Sequence, residues 1–297
     1  MHTICTGACW PDSVDLSDSV NIEAYFARIG YAGSRDPTLE TLADIHLHHP
    51  QVIPFETLDP LLKRPVLLST AAIEEKLLFR GRGGWCFEHN LLLSRVLQAI
   101  GFRVTGLAAR VLWNAPDDLL RARSHMLLRI DALDGGPYIA DVGFGGLTLT
   151  GPLRLVADVE QTTPHETFRL READGTFILQ ARIRDAWKPL YSFDLQPQVL
   201  PDYDVWNWHL AHHPESPFVS NLMAARVTLD RRYGLFNNKL SIHPLRGESQ
   251  QTTLTSAAEL RGTLQHLFGI RLPDDPGLDD LLARLVTQAL PGLNIRT

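Results

Sequence analysis

The chain has 297 residues, of which 44% are hydrophobic and 21% charged, with a formal net charge of −6. That length supports two or three compact units rather than one, and the acidic balance excludes a general electrostatic case for nucleic acid. No apolar run approaches the roughly 20 residues of a membrane span, residues 1–18 lack a secretory signal, and three cysteines fit a reduced cytoplasmic protein better than a disulfide framework.

Cys5 and Cys9 read as two exposed thiols on an extension, with too few partner ligands for a closed zinc site. Helical patterns follow over 21–29, 38–49, 70–78 and 90–100, and Gly101 stops the last of them. His46, His48 and His49 read as a solvated helix face. Short β-rich runs over 103–111, 125–130, 138–142, 166–171, 177–182 and 189–194 are separated by turns such as Ala173-Asp174-Gly175, a pattern that predicts a barrel or sandwich. A helix over 206–212, strands over 224–229 and 239–243, and helices over 257–268 and 278–290 complete the chain. His209 and His213 have metal-ligand spacing, but no H-E-x-x-H pattern accompanies them, and a solvated face is the simpler reading. The fold class is α+β, divided into a helical unit over 1–101, a β unit over 102–200 and a mixed unit over 201–297. No internal repeat or low-complexity segment interrupts it.

One stretch carries chemistry. Arg82-Gly83-Gly84-Trp85-Cys86-Phe87-Glu88-His89-Asn90 sets a cysteine in a glycine-rich turn before the apolar run Leu91 to Leu97. A thiol at a helix N-terminus meets unpaired backbone N–H groups and the positive end of the helix dipole, both of which favour thiolate. A nucleophile needs a base, and the base needs an orienting group. His125 opens one strand-length apolar run and Asp141 closes the next, with Gly135-Gly136 between them. An antiparallel pair would bring both to one place. Singly, each signal is ordinary: an apolar cysteine is usually a small buried hydrophobe, and an aspartate before glycine usually serves a turn.

Together with their flanks they are specific. The 82–90 string resembles the active-site signature of the arylamine N-acetyltransferases of the prokaryotic type. So do Ile53-Pro54-Phe55-Glu56-Thr57-Leu58, the His125 segment with Asp141-Val142-Gly143-Phe144-Gly145, Ser216-Pro217-Phe218, and Leu235-Phe236-Asn237-Asn238-Lys239-Leu240. Five blocks agree in order from about residue 20 to the end. Two departures are mild: Thr57 stands where asparagine is common, and Ser124 where threonine is frequent.

The resemblance implies a helical bundle, a central β-barrel and a C-terminal α/β lid around a cysteine-protease-like core. It implies a Cys86–His125–Asp141 triad, acetyl-coenzyme A as donor, and an arylamine or arylhydrazine acceptor, with O-acetylation of N-hydroxyarylamines as a related activity. Ping-pong kinetics through acetyl-Cys86 would follow, with the Cys86 backbone N–H as an oxyanion donor. Phe55, Val111, Phe144 and Phe218 are the candidate lining of the acceptor pocket. Ser124 and Gly145 are candidate contacts with coenzyme A. No metal is implied. Arg82 and Glu88 are expected to pair and brace the loop. Two other readings stay open: a cysteine hydrolase or amide synthase using the same triad, and a binding protein on the same scaffold.

Overall fold

The computed structural model describes residues 19–116 and 120–287. The expectations for Cys5 and Cys9 lie outside them. The first helices are α1 (Ile22–Ile29) and α2 (Leu39–Val52). Each starts where capping chemistry allows: the Asn21 side chain accepts the Ala24 N–H, and that of Thr38 accepts the Thr41 N–H, pairing donors that a first helical turn leaves unmatched. Gly30 ends α1 with φ 69°, a conformation glycine adopts without a side-chain penalty. Next come β1 (Phe55–Glu56), α3 (Leu58–Leu61), α4 (Thr70–Glu74) with a π-helical turn over Glu75–Phe79, and α5 (Cys86–Ala99). The helix predicted over 70–78 is thus regular only in its first half and widens into a π-helical turn in its second. Helix α5 begins four residues before the predicted 90–100 span, because the Glu88 carboxylate accepts the Trp85 N–H and starts the helix there.

Strands β2 (Arg103–Val111), β3 (His125–Asp131), β4 (Tyr138–Ala140), β5 (Leu153–Arg154), β6 (Gln161–Thr162), β7 (Thr167–Ala173), β8 (Thr176–Ile183) and β9 (Ala186–Phe193) form one antiparallel sheet. Its order is β5-β4-β3-β2-β9-β8-β7-β6. The two outer strands meet through one side chain: Gln161 accepts from the Arg154 N–H at 2.7 Å and donates to the Arg154 carbonyl at 3.0 Å. The sheet is thus a nearly closed barrel, which leaves little unpaired edge. Strand β3 decides how the barrel meets the helices. Met126, Leu128 and Ile130 join the helical core, whereas Leu127 joins the barrel interior, as the alternation of a strand requires. The sequence there is apolar at every one of these positions, so no alternation was visible.

The last third contains α6 (Leu200–His212), β10 (Met223–Val227), β11 (Arg231–Phe236), β12 (Lys239–Pro244), β13 (Gln250–Thr253), α7 (Ala257–Gly262) with a π-helical turn over Thr263–Leu267, and α8 (Leu278–Thr287). The end of the predicted 278–290 helix lies outside the described residues. The second sheet runs β1-β10-β11-β12-β13, so a strand from the first third completes the sheet of the last third, with Phe55 opposite Ala225. Three apolar cores result, one among the helices, one inside the barrel and one between the second sheet, α7 and α8.

Candidate active site

Cys86 is the first residue of α5 and only 8% exposed. The glycines around it are there for close approach, since neither has an unusual φ. A Cβ on Gly83 would meet the Pro54 carbonyl at 2.0 Å, and one on Gly143 would meet Cys86 Cα at 2.7 Å. The Cys86 thiol donates to the Ser124 carbonyl at 3.9 Å. Ser124 therefore touches the site through its backbone, a contact its side-chain chemistry does not announce.

His125 opens β3 opposite Ala109 of β2. Its Nε2 donates to Asp141 Oδ2 at 2.7 Å, and both residues are buried. Burial opposes a charge on this imidazole, but the Asp141 carboxylate and a hydrogen bond with Cys86 outweigh it and push its pKa up to about 10. The same pairing holds the Asp141 carboxyl below its ordinary range despite burial. Asp141 Oδ1 accepts from Asn90 Nδ2 and from the Gly143 N–H, each at 3.0 Å. Asn90 also donates to the Met126 carbonyl at 2.8 Å and accepts the Val142 N–H at 3.1 Å. One side chain on the helix that begins at Cys86 thereby ties together the strand that carries His125 and the segment after β4 that carries Asp141. Asn90 stands in the signature string, but only the register shows what it holds.

Aromatic rings enclose the pair. Phe144 lies 5.1 Å from the His125 ring and Tyr191 lies 5.0 Å from it. Tyr191 is fully buried beside Asp141. Burial and then the neighbouring Asp141 charge raise its pKa well above the ordinary phenol value. Nothing in the sequence marked it. Val111 stands opposite Tyr191 at the end of β2. The Phe55 ring lies 3.6 Å from where a Gly145 side chain would begin, with Gly145 at φ +88°. Phe218 packs 5.4 Å from the ring of Trp85, the residue before Cys86. An open cleft of about 220 Å³ next to this region is lined by Ala108, Arg123, Gln198, Asp202, Tyr203 and Trp206, among others.

Two expectations need correction. Arg82 and Glu88 do not pair. Arg82 binds Glu56 at 2.7 Å and Asp59 at 3.0 Å, while Lys76 binds Asp59 at 2.7 Å and Glu88 at 2.8 Å. Glu88 needs its other oxygen for the Trp85 N–H, so a chain of five charges links the two through α3 and the π-helical turn. Nor do His46 and His49 lie on a solvated face. Both are fully buried between α1, α5 and the barrel, and only His48 of the three keeps partial exposure. His209 and His213 stack on each other at 4.5 Å. No group of three or more metal-ligating side chains occurs among the described residues.

The N-acetyltransferase family model matches residues 38–276. The arylamine N-acetyltransferase of Mycobacterium tuberculosis is 44% identical over 276 residues, covering 90% of this chain and 97% of its own. The chain belongs to the arylamine N-acetyltransferase family. It is an acyltransferase, and the fold agrees in detail with solved members. The M. tuberculosis family structure superposes with a TM-score of 0.86 at 43% identity, covering 90% of this chain and 100% of that one. The Mycobacterium marinum family member, solved in complex with CoA, gives a TM-score of 0.85 at 40% identity and covers 89% and 99%. A Salmonella typhimurium relative, 41% identical over 254 residues and covering 85% and 90%, is named both arylamine N-acetyltransferase and N-hydroxyarylamine O-acetyltransferase.

Proposed function

We propose that this arylamine N-acetyltransferase carries an acetyl group from acetyl-coenzyme A to arylamines and arylhydrazines, and to the oxygen of N-hydroxyarylamines, through an acetyl-Cys86 intermediate. The observation that carries the reading is the buried 2.7 Å His125–Asp141 pair beside a cysteine at a helix N-terminus. His125 takes the Cys86 proton as the sulfur attacks and is left as the imidazolium, which the buried Asp141 carboxylate stabilises. In the first step Cys86 Sγ bonds to the thioester carbonyl carbon, that carbon's bond to the coenzyme A sulfur breaks, and His125 supplies a proton to the departing thiolate. The first-turn N–H of Cys86 is a donor for the transient oxyanion. In the second step the amine nitrogen bonds to the acetyl carbon, the C–Sγ bond breaks, and His125 takes the amine proton. Asp141, held by three donors, orients the ring and stabilises its charge throughout.

Phe55, Val111, Phe144 and Phe218 form the acceptor wall in this reading, where flat apolar surfaces suit an aryl ring. Ser124 and Gly145 contact the donor. The parts 1–101, 102–200 and 201–297 then carry nucleophile, base and lid, in that order. A cytoplasmic location fits a free thiol nucleophile, since the thiol pools there keep cysteines reduced; no helix among the described residues is long and apolar enough to cross a membrane.

The test is intact mass after mixing with acetyl-coenzyme A alone, with Cys86→Ala alongside. We expect a gain of about 42 Da on the wild type only, cleared by an aromatic amine or hydrazine, as covalent catalysis requires. No gain on either protein overturns the reading. A gain that decays equally with and without amine assigns a hydrolase instead.

A further inference from the structure

Helix α2 presents two buried imidazoles one turn apart that the acyl-transfer steps do not use. Asp141 follows the last ladder pair of β4, Leu128 with Ala140, so its N–H needs an acceptor from outside the sheet. His46 Nε2 supplies it, at 3.1 Å and across 95 residues of sequence. For that bond Nε2 must be bare, which places the proton on Nδ1, and Nδ1 has no partner among the described residues. The Asp141 carbonyl in turn accepts from Thr148 Oγ1 at 3.1 Å. Every polar group of Asp141 is thus held, and His46 holds the one that sets where the residue leaves its strand.

Burial keeps His46 neutral against the pull of the Asp141 charge. Its neighbour on the helix is His49, which in turn meets His89 on α5. Those two are themselves locked in one proton order. Tyr25 Oη donates to His49 Nδ1 at 2.9 Å, His49 Nε2 donates to His89 Nδ1 at 2.8 Å, and His89 Nε2 donates to the Gly84 and Pro54 carbonyls at 3.0 and 3.2 Å. Both ring nitrogens of His49 and His89 are therefore engaged, and neither can pass a proton to His46.

We propose that His46 is a positioning residue for acyl transfer: it accepts the Asp141 N–H and so keeps the carboxylate aimed at His125 Nε2. An imidazole lacking that aim would be held less firmly against Asp141 and would serve Cys86 less well as its base. Small displacements of such a group cost about 10- to 100-fold in rate.

The experiment compares His46→Leu with His46→Gln, whose side-chain oxygen can still accept. Two readouts are taken at temperatures where melting shows each variant folded: the rate of Cys86 alkylation by iodoacetamide from pH 4 to 9, and the rate of acetyl-Cys86 formation. We expect His46→Leu to shift the alkylation profile to higher pH and to slow acetylation by about 10- to 100-fold at unchanged KM, with His46→Gln restoring both to within about threefold. If the leucine variant does not fold, His46→Met replaces it. A wild-type profile and rate in the apolar variant, or equal impairment in both variants, overturns the proposal. It rests on the acyl-transfer reading, yet alkylation needs no acetyl donor. Absence of acetylation in the wild type therefore defeats that reading alone, and a normal alkylation profile in His46→Leu defeats this one alone.

Discussion

Asn90 shows how much of a site can depend on one neutral side chain. It donates to Asp141 and to the Met126 carbonyl and accepts the Val142 N–H. Replacing it by alanine leaves a buried carbonyl and a buried N–H unmatched, which costs about 3 kcal/mol. We expect Asn90→Ala to lower the melting temperature accordingly, read by calorimetry, and to slow Cys86 alkylation in the protein that remains folded; an unchanged melting temperature would contradict the contact as drawn. Cys86, His125 and Asp141, the proposed triad, stand out in the sequence because their chemistry is restricted: cysteine, histidine and aspartate in glycine-marked settings are a short list. Asn90, Tyr191 and His46 do not, since amide, phenol and imidazole serve many ordinary structural ends. Their roles come from what they touch.

Among the elements, the start of α5 is held by charge rather than by a conventional cap. Glu56 at β1, Asp59 at α3, Lys76 in the π-helical turn, Arg82 before the turn and Glu88 in α5 form a buried chain of ion pairs. Burial alone would lower the Lys76 pKa, but Glu88 and Asp59 raise it, so the ammonium stays charged. Removing one member leaves its partners as uncompensated buried charges. Arg82→Met should cost about 3–5 kcal/mol, seen as a lower urea midpoint, whereas breaking the solvent-screened pair Arg35–Glu23 should leave the midpoint nearly unchanged. Equal losses from breaking the two would refute the distinction. Strand β1 and the π-helical turns leave no mark in the sequence for related reasons. A two-residue strand has no period to detect, and a widened turn preserves the apolar spacing of an ordinary helix.

For the whole molecule, the buried imidazoles set a pH window. Burial first, and for His49 neighbouring imidazoles as well, keeps His46, His49 and His89 neutral, with His46 and His89 each down to about 4. Their folded pKa values lie below the ordinary 6.5, so between pH 6.5 and 4 the unfolded chain binds more protons than the folded one. Stability from these groups is complete above pH 6.5 and falls as pH drops through about 4, by about 3 kcal/mol for each of His46 and His89. His125 acts in the opposite direction. Its pKa is raised to about 10, so its contribution is complete below pH 6.5 and is lost as pH rises through about 10. Urea midpoints should therefore peak near neutral pH and fall on both sides; a midpoint flat from pH 7 to 4.5 would show that the imidazoles are not buried neutral in solution.

Sequence by itself determined the family, the α+β class and the identity of the three residues that the proposed chemistry needs. Those depend on local requirements, namely a glycine turn before a helix, a histidine opening one strand and an aspartate closing the next, and local requirements leave marks at short range. Tertiary structure decided what steadies them: that His46 and His49 face inward, that Arg82 reaches Glu56 and Asp59 rather than Glu88, that β1 completes a sheet some 170 residues away, and that one face of β3 belongs to the barrel and the other to the helices. These are contacts between segments far apart in the chain. Burial and pairing are properties of the assembled surfaces, and no single segment encodes its partner.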